Sequence, residues 1–328
     1  MRMSVVGEQQ AERAAPAVPT QPTEPVQPSE PAGAGDKPAS RPPALSPSRA
    51  GDFKQCPLLY RLRVVDRIPE KPSRVMVRGT VVHSVLERLF QLPPHERLPA
   101  AAASLVGPAW DDLLAAEPEL AAMFDGTDAG ELSEWLSSAQ ELLDSYFWLE
   151  DPRRLQPQAC ELRVEARIAP NGDGEPVLLR GFIDRLDVAK TGEIRIVDYK
   201  TGAAPREVGE ARALFQMKFY AVVLWRTRGV VPRQLRLMYL ADRQMLTYHP
   251  DEVELLRFER TLAAIWTAIM RAARTGDFRP SRSRMCDYCD FHALCPEFGG
   301  APPPYPGWPN GGAAAPDPGR ETPLDRAD

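Results

Sequence analysis

Hydrophobic positions follow a helical period in the first half of the chain and a strand period after it. Between Arg78 and Leu92, Val81, Val82, Val85, Leu86, Leu89 and Phe90 recur at helical spacing, predicting an amphipathic helix opened by Gly79-Thr80. Residues 100–149 stay helical in pattern, with Leu113-Leu114, Trp135-Leu136, Leu142-Leu143 and Phe147-Trp148 marking two or more helices. At Ala159 the period drops to two, and Leu162, Val164, Ala166 and Ile168 alternate as in a half-buried strand. Asn171-Gly172 predicts a turn, residues 177–188 a second strand, Thr191-Gly192 another turn and residues 193–200 a third strand, together an antiparallel meander. A helix over about 207–226, alternation at Leu235, Leu237 and Tyr239, and a long helix over 251–274 complete the pattern. This order predicts a mixed α/β or α+β domain with a helical insertion over about residues 95–155.

Composition sets the boundaries of that domain. Of the 35 prolines in 328 residues, ten fall in residues 1–50 and eight in residues 299–328. Residues 1–45 carry no Phe, Tyr or Trp, and Pro16, Pro19, Pro22, Pro25, Pro28 and Pro31 recur every third residue, which favours an extended, solvated tail. The expected domain is therefore residues 46–298, with disordered tails at 1–45 and 299–328. No apolar run reaches the length of a membrane span and no signal-peptide block opens the chain, so a soluble cytoplasmic protein is expected. The net charge of −5 excludes a histone-like coat of positive charge but not a local basic groove. Eight basic residues against three acids between Arg49 and Arg78, and five against one between Arg271 and Arg284, are candidates for such a groove.

The third strand reads Ile194-Arg195-Ile196-Val197-Asp198-Tyr199-Lys200, and its period puts Asp198 and Lys200 on the face of Ile194 and Ile196. A carboxylate and an ammonium on an apolar stripe are costly unless paired or bound to a metal. The second strand embeds Asp184 among Phe182, Leu186 and Val188 in the same way. Two acids on neighbouring strands can converge on one hard divalent cation such as Mg²⁺ or Mn²⁺, leaving room for water and phosphate, with the lysine beside them. A structural Asp198–Lys200 ion pair accounts for the same pattern. His83, off the apolar stripe of its helix, is a further candidate metal ligand, and Gln216 and Tyr220 share one face of the following helix.

Taken in order, His83, Gly181-Phe182-Ile183-Asp184-Arg185, Asp198-Tyr199-Lys200-Thr201-Gly202 and Gln216-x-x-x-Tyr220 resemble the RecB-like branch of the PD-(D/E)XK nuclease superfamily. Ile183 stands where the proline of the family's name would be. The resemblance covers residues 46–298 and implies a restriction-endonuclease-like core, a central mixed sheet flanked by helices. It implies that His83, Asp184 and Asp198 are metal ligands, Lys200 the catalytic lysine, and Gln216 and Tyr220 auxiliary groups. Glu161, on the first strand, is an additional acid that either joins this set or serves packing and solvation.

Five cysteines in a chain of this type favour a metal site or plain thiols over a disulfide framework. Cys286, Cys289 and Cys295 form C-x2-C-x5-C, and with the distant Cys56 they make a four-sulfur set suited to zinc or an iron–sulfur cluster. This set is similar to the iron–sulfur staple of RecB-like nucleases, including AddB-type subunits and CRISPR-associated exonucleases, which implies a 4Fe–4S cluster. Cys160 is left as a buried thiol. No G-x-x-x-x-G-K-S/T loop occurs, so any helicase motor would be a separate polypeptide. The expectation is a metal-dependent DNA nuclease, an exonuclease on single-stranded ends in repair or recombination. The alternatives are a non-cleaving, cluster-stabilised DNA-binding subunit of a helicase–nuclease complex and a CRISPR-adaptation nuclease.

Overall fold

The computed structural model describes residues 43–125, 129–169, 176–204 and 207–308. The proline-rich segments 1–42 and 309–328 and the Asn171-Gly172 turn lie outside the described residues. Helix α1 (Pro47–Gln55) opens the domain, capped by Ser46, whose side chain accepts from the Arg49 N–H, and with Pro47 at its first position. A short α2 (Pro57–Tyr60) runs into a π-helical turn at Arg61–Val65, and α3 (Arg74–Gln91) follows. Between α3 and the first strand lie α4 (Pro99–Ala116), α5 (Ala129–Leu149) and three short 3-10 turns, so the described residues of the insertion form helices and no strand.

The sheet has β1 (Ala159–Ile168), β2 (Val177–Val188), β3 (Ile194–Lys200), β4 (Gln234–Tyr239) and β5 (Gln244–Tyr248), in that spatial order. The first three strands form the antiparallel meander read from the sequence, turning at Gly192 with φ 89. α6 (Glu207–Arg228) then crosses over to place β4 parallel to β3, and β5 returns antiparallel. α7 (Glu252–Thr275) is capped by Asp251, which accepts from the Glu254 N–H, and ends at left-handed Gly276. Apolar residues of α1, α6 and α7 cover one face of the sheet, and those of α3, α4 and α5 cover the other.

This three-layer arrangement is the mixed α/β, restriction-endonuclease-like class expected. β3 is central and buried on both faces, Ile194 and Ile196 in one core and Val197 and Tyr199 in the other, so it has no single buried side. Strand β5 escapes the hydrophobic pattern because it is a largely exposed edge strand with little to alternate against. Helix α3 is also buried around more of its surface than its stripe implied, His83 included.

The C-terminal boundary falls later than composition suggested. Residues 299–308, assigned to the tail by their proline content, pack on the core. Tyr305 lies across Gly276, meets the Phe278 ring at 5.6 Å and donates its hydroxyl to the Ala273 carbonyl at 2.8 Å. Trp308 meets Trp266 edge to face, and the Pro303 carbonyl accepts from buried Arg61. Proline content marks backbone stiffness and does not exclude docking. Tyr305→Ala should lower stability by about 1–3 kcal/mol through lost ring contacts and an unmet carbonyl. An unchanged thermal midpoint would show that this segment does not brace the core.

Candidate active site

The site forms where β2 and β3 part. Their ladder runs from Val188↔Ile194 to Arg185↔Val197, and the next positions are Asp184 and Asp198. In place of a ladder partner, the Tyr199 N–H donates to Asp184 Oδ2 at 2.7 Å. The β1–β2 pairing passes from Cys160↔Arg185 to Leu162↔Ile183, and Glu161, between them, has the left-handed φ of 45. Leu162 and Val164 pack with the α6 and α7 side of the sheet, whereas Cys160 packs with the opposite core, so the pleat changes phase at Glu161. A left-handed glutamate costs on the order of 1–3 kcal/mol, and such strain is tolerated where the surroundings over-determine it.

The unbroken register sets Glu161 opposite Asp184, and both carboxylates reach His83 on α3. His83 Nδ1 lies 3.7 Å from Glu161 Oε1 and 3.5 Å from Asp184 Oδ2, while Nε2 is 2.8 Å from the Tyr199 carbonyl. One ligand atom from each of His83, Glu161 and Asp184 falls within 4.8 Å of the others, a set able to hold a metal ion. Burial alone would push the imidazole down, but the charges and hydrogen bonds of Asp184 and Glu161 outweigh it and hold its pKa at about 10. A proton on Nδ1 therefore balances the two carboxylates. With Nε2–H donated to the Tyr199 carbonyl, loss of that proton leaves a lone pair on Nδ1 aimed between them, the tautomer a metal ligand needs.

Asp198 and Lys200 occupy the neighbouring half. Lys200 Nζ donates to Gln216 Oε1 on α6 at 2.6 Å and lies 3.1 Å from Asp198 Oδ2. That contact neutralises charge without hydrogen-bond geometry, leaving Asp198 Oδ2 buried and short of a donor. Burial pushes the Asp198 carboxyl up to about 7, with Lys200 opposing the rise and Asp184 adding to it. A buried acid with an unsatisfied oxygen, beside two acids and an imidazole, suits a hard divalent cation. Tyr220 lies elsewhere: its ring is packed against Gly181, where an added Cβ would stand 2.7 Å from Tyr220 Cε1. The Gln216/Tyr220 pair is thus divided, the amide on the lysine and the phenol beneath β2.

The structure therefore gathers His83, Asp184, Asp198, Lys200 and Gln216 at one end of the sheet. It adds Glu161, an additional acid for which the sequence left packing or solvation open. The signal that could have found it is its place opposite Asp184 in an antiparallel register.

The family model of the PD-(D/E)XK nuclease superfamily matches residues 44–296. The chain belongs to that superfamily. It is accordingly a phosphodiester hydrolase, of a family that uses divalent metals. Among curated proteins it is similar to the Gene 69 protein of Mycobacterium phage D29, 25% identical over 280 residues, covering 78% of this chain and 97% of that one. The Gene 69 protein of Mycobacterium phage L5 is 22% identical over 294 residues, with the same coverage. Among solved structures, a candidate exonuclease from Eubacterium rectale aligns at a TM-score of 0.48 and 16% identity, over 75% of this chain and 86% of that one.

Four of the five cysteines of this nuclease-family chain also meet. Cys56, at the end of α1, lines one pocket with Cys286, Cys289 and Cys295 over Leu58, Leu59, Leu62 and Phe291. The N–H groups of Ser281 and Ser283 point at the sulfurs of Cys56 and Cys286, each at 3.4 Å. Cys160 lies apart on β1, where burial pushes its thiol up to about 12.

The raised Asp198 pKa has a stability consequence. The folded carboxyl holds its proton up to about pH 7 while the unfolded one releases it near pH 4, so metal-free protein should lose stability as pH rises between these values. Thermal melts in chelator should show this decline, and Asp198→Asn should remove the Asp198 part of it. Equal pH slopes for the two proteins would contradict the assignment.

Proposed function

We propose that this protein is a RecB-like, metal-dependent DNA exonuclease that acts on single-stranded ends in repair or recombination. The observation that carries the reading is Lys200, held by Gln216 at 2.6 Å and Asp198 at 3.1 Å, beside Asp184 and His83 where two strands part. The ordered motifs of the RecB-like branch support the finer assignment to exonuclease and to single-stranded ends. The basic stretches Arg49–Arg78 and Arg271–Arg284 support a sequence-independent grip on the phosphate backbone.

His83, Asp184 and Asp198, with Glu161 as an additional oxygen donor, would hold Mg²⁺ or Mn²⁺, which when bound would supply Lewis-acid polarisation of the phosphate and of a water. Lys200 orients the attacking water and offsets charge on the phosphate, and Gln216 holds the lysine in place. The water oxygen bonds to phosphorus as the phosphorus bond to the leaving sugar oxygen breaks; the water gives up a proton and the leaving oxygen takes one up. His83 holds the ligand orientation through its Nε2–H to the Tyr199 carbonyl.

Cys56, Cys286, Cys289 and Cys295 hold a 4Fe–4S cluster in this reading, supported by their shared pocket and by the N–H groups aimed at two of the sulfurs. The cluster would tie α1 to the segment after α7, closing a very long loop. A helicase, where one is used, would be a separate subunit.

Asp198→Ala and Lys200→Ala should abolish cleavage of end-labelled DNA in Mg²⁺ or Mn²⁺ and leave DNA binding largely intact. Full activity in either variant removes the catalytic assignment; binding without cleavage by the wild type would favour the non-cleaving subunit. Anaerobically purified protein should be brown with about four irons per chain. Cys56→Ser should lose the iron while Cys160→Ser keeps it. Stoichiometric zinc in the wild type would replace the cluster assignment.

A further inference from the structure

Tyr199 stands between Asp198 and Lys200, and three of its polar groups are engaged by residues of the site or of the wall behind it. Its N–H donates to Asp184 Oδ2 at 2.7 Å and its carbonyl accepts from His83 Nε2 at 2.8 Å, so one residue's backbone groups orient both side chains. Its phenol points into the opposite core, where Arg185 Nη1 donates to the hydroxyl at 2.7 Å. Arg185 is fully buried on β2 and is gripped from two sides. Glu150, just past the end of α5, takes Nη1 and Nη2, and Asp187 takes Nε and Nη2 at 3.1 and 3.2 Å. The Phe90 ring lies 5.2 Å beneath the guanidinium, and Tyr146 of α5 meets the Tyr199 ring edge to face at 5.7 Å.

A buried arginine between two carboxylates is expensive to place and hard to move once placed. Its one bond toward the site goes to the Tyr199 hydroxyl. We infer that Tyr199 is a positioning residue for the metal site, and that Arg185 of β2, locked by Asp187 of the same strand and by Glu150 of the helical insertion, holds it in position. The inference rests on reading His83 and Asp184 as metal ligands. The phenol touches no reacting atom and acts through the backbone groups that orient those ligands. Loosening it should cost metal affinity before it costs turnover, because excess metal can restore the same ligand set.

The test is Mn²⁺ binding by titration calorimetry on the full chain, with cleavage measured across Mn²⁺ concentrations. Tyr199→Phe keeps the ring and removes the hydroxyl; it should weaken Mn²⁺ binding by about tenfold or more, the usual effect of losing a group that orients a metal ligand. Cleavage at saturating Mn²⁺ should recover most of the wild-type rate. Glu150→Gln, which leaves β3 untouched, should shift the metal requirement in the same direction. Leu143→Ala, a packing change on α5, should lower the melting temperature yet leave Mn²⁺ affinity within about twofold. Wild-type affinity in Tyr199→Phe overturns the inference, and so does an equal loss in Leu143→Ala, which would reduce the effect to general destabilisation. Asp184→Asn separates the two readings: unchanged Mn²⁺ binding there sinks the metal-ligand assignment itself, and the inference with it.

Discussion

The rest of the molecule is organised around the burial of charge where β2 and β3 separate. His83, Asp184, Asp198 and Lys200 all lie in the interior, where an isolated charge would be prohibitive. They are tolerable together because each is answered: the imidazole by two carboxylates, the lysine by an acid and an amide, Asp184 by a backbone N–H. The balance is incomplete at Asp198, whose second oxygen lacks a good donor. That deficit is the chemistry a divalent cation would satisfy, and burial, only partly opposed by Lys200, holds the carboxyl at about 7 in the metal-free chain.

Two local departures from regular structure accompany this gathering. Glu161, set opposite Asp184 by the strand register and near His83, takes a left-handed backbone. The separation of β2 from β3 frees the Tyr199 N–H, which Asp184 then takes up. A continued β2–β3 ladder would bind that N–H to the backbone of β2 instead. Stability is given up at the site for geometry, with the apolar layers on either side of the sheet keeping it in place.

The two helical layers have different relations to the site. The layer of α1, α6 and α7 supplies Gln216 to the lysine and, through Tyr220 on Gly181, a close approach of α6 to β2. The layer of α3, α4 and α5 supplies His83 directly and, through Glu150, the grip on Arg185. The helical insertion is thus joined to the sheet by a buried ion network as well as by apolar packing, and shifts in α5 would be felt at Tyr199.

Much of this was legible in the sequence because it follows from local periods. The 3.6-residue stripe of α3, the alternation of β1 and the acid at the end of Ile194–Lys200 each depend on near neighbours along the chain. The motif order from His83 to Tyr220 likewise pointed to the superfamily without any coordinates. What the sequence could not decide depends on residues far apart in it. The left-handed turn at Glu161 is favoured by no local residue choice, and only pairing with β2 shows that it faces Asp184. The docking of Tyr305 and Trp308 is hidden by prolines, since composition reports the stiffness of a segment and not the surface it meets. Asp187, Glu150 and Tyr199 converge on Arg185 from β2, the end of α5 and β3, and charges in a sequence carry no sign of which ones burial will force together.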